Sequence, residues 1–181
     1  HLNDSYGELD SHLNRHAPIG KGCIFKKSKE GLKEIIKICK KNKISYLKGH
    51  STDLIQRYQS VIKKFPTKNI IRITSDCPFV DRNLIDKMIK FFEKNNLDYL
   101  SNNKPPTFPD GFDIEIFKSH ILKKLLLSSK NQLDKEHVTS HIGNLRKIKS
   151  DNFRNKINLS KIRVTIDEQK DLELIIKVLK I

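Results

Sequence analysis

Asn69-Ile70-Ile71-Arg72-Ile73-Thr74-Ser75-Asp76-Cys77-Pro78-Phe79-Val80-Asp81 is the stretch from which the architecture follows. Ile70 to Thr74 is a short β-branched run that predicts a strand, and Pro78 prevents that strand from continuing. A helical pattern begins near Asp81, so Asp76 stands on a strand-to-helix turn. Open α/β sheets bind ligands at the carboxyl ends of their strands. A carboxylate there suits a hard cation such as Mg²⁺, which takes one or two protein carboxylates and fills its remaining positions with phosphate oxygens and water. A turn aspartate that caps the next helix is the structural alternative.

Outward from this turn, strands and helices alternate. Gly22–Phe25 reads as a short strand, and Leu32, Ile35, Ile36, Ile38 and Cys39 repeat at helical spacing between Ser28 and Asn42. Ile44–Leu47 reads as a strand. Ser51 or Thr52 caps a helix running to about Lys64. A helix from Arg82 to Lys94, a strand at Asp98–Ser101 and a strand at Phe112–Ile116 follow. The spacing then predicts helices over Phe117–Leu127 and Lys135–Leu145, a strand at Ile162–Ile166, and a closing amphipathic helix from Glu168 to Lys180. This alternation defines an α/β layered fold with a largely parallel sheet. Asn102 to Gly111 interrupts it with three prolines and a glycine. Such an ordered irregular loop commonly carries binding residues.

The composition narrows the function classes. The 181 residues carry a formal charge of +15, and lysine supplies 29 of the 36 basic side chains. Those lysines are scattered over nearly every helical segment. Nucleic-acid footprints cluster Arg and Lys on one face with aromatics interleaved, so specific nucleic-acid binding is disfavoured. The spread lysines read as solvated faces with some attraction for anionic substrates. No apolar run reaches membrane-spanning length, and no signal-peptide pattern opens the chain. Cys23, Cys39 and Cys77 form no CxxC pair, which points to a reduced, cytoplasmic protein. The chain begins with His1 rather than Met, as expected of a fragment or a processed chain.

Two strand ends present aspartates, Asp76 and Asp167, and a parallel sheet would bring both to its carboxyl edge. Together they could hold a metal bound to a triphosphate. Asp167 also makes a good N-cap for the closing helix. Arg72 and Arg163 each lie within a strand, four residues before one of these aspartates. Either can pair with a carboxylate or bind a ligand anion. Asp110-Gly111-Phe112-Asp113 sets two carboxylates beside a glycine, suited to sugar hydroxyls or to plain turn chemistry. His137 and His141 are four apart on a predicted helix. The residue after His137 is Val138, not the Glu of a zinc hydrolase, and no third ligand is evident. Glu136-His137 faces either a sugar site or solvent.

Read in order, Ile-Ile-Arg-Ile-Thr-Ser-Asp-Cys-Pro-Phe-Val-Asp, Asp-Tyr-Leu-Ser-Asn-Asn, Pro-Pro-Thr-Phe-Pro-Asp-Gly-Phe-Asp-Ile-Glu-Ile-Phe, Lys-Glu-His-Val-Thr and Ile-Arg-Val-Thr-Ile-Asp-Glu resemble the bacterial cytidylyltransferases of the spore-coat polysaccharide type. These are relatives of the enzymes that activate sialic and deoxyoctulosonic acids. The resemblance covers residues 28–181 and leaves 1–27 as an irregular, non-family segment. It implies a nucleotide-diphospho-sugar transferase fold, a three-layer α/β/α sandwich with a mostly parallel mixed sheet. It also implies joining of CTP and a sugar acid with Mg²⁺ as cofactor, and it leaves a homodimer open. By motif position it assigns Asp76 and Asp167 to the metal and to catalysis. Arg72 and Ser75 fall with Asp76 at the nucleotide, and Asp110, Asp113, Glu136 and His137 on the sugar side.

Members of that family open with a hydrophobic strand and a loop of the type Arg-x-x-Ser-x-Arg-Leu-Pro-x-Lys that grips the triphosphate. His16-Ala17-Pro18-Ile19-Gly20-Lys21 has the Pro and a Lys but neither arginine nor the serine. The expectation is therefore an N-terminally incomplete domain, truncated or degenerate, with weak or no activity. The alternative is a non-catalytic module that binds a sugar or a partner.

Overall fold

Ile114-Glu115-Ile116-Phe117-Lys118 alternates its side chains between two sheet faces, and its central position organises the fold. This strand, β5 (Ile114–Lys118), is flanked antiparallel by β3 (Asn69–Ile73) on one side and by β4 (Tyr99–Ser101) on the other. β6 (Ser150–Asn152) adds in parallel to β4, giving the order β3-β5-β4-β6. The computed structural model describes residues 29–50, 53–128, 138, 139, 142, 145 and 147–179, together with the backbone of 23–25.

β3, β4 and β6 thus share one direction and β5 opposes them. The sheet is mixed, as expected, and its one opposed strand lies between two that run the same way. A parallel return needs a crossover element, usually a helix. Residues 102–113 between β4 and β5 contain none, so the chain comes back antiparallel, inserted between β3 and β4. A separate two-stranded parallel pair joins β1 (Cys23–Phe25) and β2 (Tyr46–Lys48), linked by helix α1 (Lys29–Lys41).

Helices cover both faces of the four-stranded sheet. On one face, α3 (Arg82–Lys94) packs Leu84, Ile85, Met88 and Phe92 against Leu100, Ile114 and Ile116. On the other, α2 (Leu54–Lys64) and α4 (Ile121–Ser128) bring Ile55, Ile121, Leu122 and Leu125 onto Ile70, Tyr99 and Phe117. The closing helix is α5 (Gln169–Leu179). Among the described residues no helix is long and apolar enough to cross a membrane.

Several boundaries differ from the periodicity, each for a local reason. Asp53, not Ser51 or Thr52, caps α2, its carboxylate accepting the Gln56 N–H at 2.8 Å. Pairing with β3 extends β5 through Lys118 and delays α4 to Ile121. Residues 162–166 do not form a strand. Their hydrogen bonds go to the proline-rich loop and to the Asp76 turn, leaving one isolated bridge between Arg163 and Asp110. β6 is polar and exposed, so it carries no apolar alternation to announce it. The helix expected over Lys135–Leu145 lies largely outside the described residues.

Phe117 is fully buried where both antiparallel pairings meet. Phe117→Ala is expected to cost about 3–5 kcal/mol of unfolding free energy, to be measured by urea denaturation.

Candidate functional site

The turn after β3 is closed by its own backbone, the Cys77 N–H donating to the Thr74 carbonyl at 3.2 Å. Ser75 is buried within it and Asp76 is half-buried. Asp76 does not cap the following helix. Asp81 does so, accepting the Asn83 N–H at 2.9 Å. Asp167 lies two residues before Gln169, where α5 starts, and a side chain inside the first turn of that helix reaches back to its entry. Asp171 Oδ2 accepts from the amides of Asp167 and Glu168, at 3.0 and 2.9 Å.

The Ile166 N–H donates to the Asp76 carbonyl at 2.9 Å. That bond seats the residue before Asp167 on the Asp76 turn, so two segments ninety residues apart meet at one end of β3. The Asp167 carboxylate itself accepts from Arg163 Nη2 at 2.5 Å and from the Thr165 hydroxyl at 3.2 Å. Arg163 forks onto Asp171 at 2.8 and 3.1 Å and lies 3.6 Å from Asp110, so one guanidinium holds three carboxylates. These hydrogen bonds hold the Asp171 carboxyl well below the usual carboxylate range, Arg163 first and the two helix-entry amides next.

The proline-rich loop docks on the same segment. The Asp110 N–H donates to the Ile162 carbonyl and the Val164 N–H returns to the Asp110 carbonyl. Gly111 makes this approach feasible. Its φ is +104°, and a Cβ there would stand 2.9 Å from the Thr165 nitrogen. Gly111→Ala is therefore expected to destabilise the protein by about 1–3 kcal/mol, read from its urea midpoint.

Asp113 enters β5 half-buried and accepts from the Asn103 amide at 3.3 Å. Burial raises its carboxyl above the usual range, opposed by the Asn103 bond and reinforced by the charges of Asp110, Glu115 and Asp76. Burial also pushes the Cys77 thiol up to about 12, with the neighbouring Asp76 charge adding to it. Such a thiol stays protonated and packs.

Arg72 stands apart from these aspartates. It lies opposite Glu115 in the β3–β5 register, and its Nη1 donates to Glu115 Oε2 at 2.6 Å. Glu115 is 2% exposed and also accepts from the Tyr99 hydroxyl at 2.5 Å and the Thr139 hydroxyl at 2.9 Å. Burial works to raise the Glu115 carboxyl, but Arg72, Tyr99 and Thr139 outweigh it and hold the group below its ordinary value.

The structure thus gathers Asp76, Asp167, Asp110 and Asp113 in one region, with Ser75 in the same turn, and directs Arg72 to a neighbouring pair. Glu136, His137 and His141 lie outside the described residues. Among the described residues no three His, Cys, Asp or Glu are grouped to hold a metal ion. Two carboxylate segments on one turn fit a cation bound mainly through phosphate oxygens, rather than an all-protein cage. Sequence reasoning passed over Glu115 and Asp171. The inward phase of Glu115 in Ile-Glu-Ile was the available signal, because a buried carboxylate requires a partner.

With this geometry, the comparisons with known proteins agree. The chain matches the cytidylyltransferase family over residues 26–180, and it belongs to that family. It is 30% identical to an uncharacterized protein of Methanocaldococcus jannaschii over 81% of this chain and 60% of that one. It is 28% identical to the spore coat polysaccharide biosynthesis protein SpsF of Bacillus subtilis over 76% and 58%. The chain therefore spans about three fifths of the length of these curated relatives. A cytidylyltransferase from Leptospira borgpetersenii superposes with a TM-score of 0.78 at 33% identity, covering 85% of this chain and 66% of that structure. The 4-diphosphocytidyl-2C-methyl-D-erythritol synthase of Anaerococcus prevotii, at 15% identity, shares the fold with a TM-score of 0.59, covering 89% of this chain and 82% of that one.

The Asp113 environment makes a signed expectation. Above 3.8 the unfolded carboxyl ionises while the folded one retains its proton, so this group's contribution to stability falls as pH rises through that window. Asp113→Asn should raise Tm relative to the unsubstituted protein at pH 7, and the difference should vanish below pH 3.8. Thermal melts across that range measure it.

Proposed function

We propose that this chain carries the metal and sugar side of an enzyme that transfers CMP from CTP to a sugar acid, releasing pyrophosphate, in surface polysaccharide synthesis. The observation that carries this reading is the 2.9 Å bond from Ile166 N–H to the Asp76 carbonyl, which seats the Asp167 segment on the Asp76 turn. Membership in the cytidylyltransferase family supports the nucleotide, and the spore coat polysaccharide role named for the Bacillus subtilis relative supports the polysaccharide.

In this reading the sugar's anomeric hydroxyl attacks the α-phosphorus. Asp76 and Asp167 would hold Mg²⁺, which would neutralise charge on the phosphates. Arg163 keeps the Asp167 carboxylate in place and also bonds Asp171, whose carboxylate accepts from the amides at the entry to α5. Ser75 lies beside the nucleotide, and Asp110, Asp113, Glu136 and His137 face the sugar. Arg72 acts at the nucleotide end of β3, its Nη1 engaged by Glu115.

No stretch of residues 1–27 fits the Arg-x-x-Ser-x-Arg-Leu-Pro-x-Lys pattern of a triphosphate-gripping loop. Charge-assisted contacts of that kind contribute several kcal/mol in such sites. Residues 1–181 by themselves are therefore expected to release pyrophosphate slowly or not at all from CTP, Mg²⁺ and a panel of sugar acids. Robust turnover would contradict the argument. CTP with Mg²⁺ should still raise Tm, and Asp76→Asn should weaken that binding by about tenfold or more, read from the ligand-concentration dependence of Tm. The sequence of residues 1–27 also favours a second reading, a non-catalytic sugar- or partner-binding module. That reading predicts sugar-acid binding with no shift from CTP and Mg²⁺.

A further inference from the structure

A carboxylate with 2% of its residue surface exposed, accepting from three side chains on three separate segments, does more than fill a core. Arg72 reaches Glu115 from β3, Tyr99 from β4, and Thr139 from the segment beyond α4. Arg72 is two residues before Thr74, whose carbonyl and hydroxyl close the turn that holds Asp76. Glu115 is two residues after Asp113, on the same face of β5, and Asp113 meets Cys77 of that turn through its backbone. The Arg72–Glu115 pair therefore ties the two strands together just before both of them enter the site.

Apolar contacts alone would hold β3 loosely at this end. Ile70 packs towards α2 and α4, and Ile71 and Ile73 pack towards α3, but beyond Ile73 the chain leaves the sheet. The directional guanidinium–carboxylate contact fixes strand register and tilt where the apolar rows end.

We propose that Glu115 is a positioning residue for the Asp76 turn, acting through Arg72, and that its contribution to the reaction proposed above is made by holding that turn rather than by touching substrate. The cost of a lone buried carboxylate is avoided in the test by pairing Arg72→Met with Glu115→Gln, whose amide oxygen can accept from one of the Tyr99 and Thr139 hydroxyls while its NH2 donates to the other.

Two buried cysteines read the outcome within one molecule. Cys77 belongs to the turn and is 1% exposed, while Cys39 lies in α1 and is 0% exposed. Native-state alkylation with iodoacetamide, followed by peptide mass spectrometry, gives a labelling rate for each. Local loosening of the turn accelerates Cys77 alone, whereas general destabilisation accelerates both. The double variant is expected to raise the Cys77-to-Cys39 rate ratio on the order of tenfold over the unsubstituted protein. An unchanged ratio, with both rates equal to or faster than before, would overturn the proposal. This measurement needs no nucleotide. A parallel arm with CTP and Mg²⁺ should slow Cys77 labelling in the unsubstituted protein. If it does not, the cytidylyl-transfer reading fails while the rate ratio still decides the role of Glu115.

Discussion

The ion pair between Arg72 and Glu115 is the constraint on which the arrangement depends. A carboxylate placed inward at the middle of a sheet must be paired and hydrogen-bonded or it opposes folding. Here each Glu115 oxygen is engaged, one by Tyr99 and the other by Arg72 and Thr139. Removing one partner of such a pair costs about 3–5 kcal/mol, a large share of a domain's stability. In the observed sheet β5 lies between β3 and β4, in the register that sets Arg72 opposite Glu115 and so pairs the carboxylate. Burial on both faces by α2, α3 and α4 supplies the driving force, and the polar pair selects the alignment.

That alignment is what carries the site. Once β5 is seated, Asp113 enters beside the Asp76 turn, and the proline-rich loop preceding it lies against residues 162–164. Arg163 then finds Asp110, Asp167 and Asp171 within reach, and the Ile166 amide finds the Asp76 carbonyl. Burial raises the Asp113 carboxyl, and the nearby charges of Asp110, Glu115 and Asp76 add to it. Arg163 balances the Asp110 and Asp167 side of the cluster. A cation would balance Asp76, in keeping with the proposed chemistry.

Much of this was legible one segment at a time. The strand over Ile70–Thr74, the helix from Arg82 to Lys94 and the turn between them follow from β-branching, Pro78 and helical spacing, and all appear in the fold. The ion pair between Arg163 and Asp167 was among the outcomes anticipated, because four residues separate them. One cap differs from the reading: Asp53, not Ser51 or Thr52, caps α2, because neighbouring short polar residues compete for the same amides. The capping alternative to a site role for Asp76 does not hold, since Asp81 caps α3. The strand at 162–166 was read from β-branched residues that spend their hydrogen bonds on a loop and a turn instead.

By itself, the sequence determined the helices α1, α2, α3 and α5 to within a few residues, the strand before Asp76, the α/β class, and that Asp76 stands at a strand end before a helix. Local periodicity and turn chemistry act between near neighbours, so one chain read alone contains them. Only the tertiary structure decided that β5 runs against β3 and β4, and that Arg72 answers Glu115 rather than an aspartate four residues away. Those outcomes depend on strand order and register between groups 43 residues apart, and no local pattern encodes which of several buried charges will face each other across a sheet.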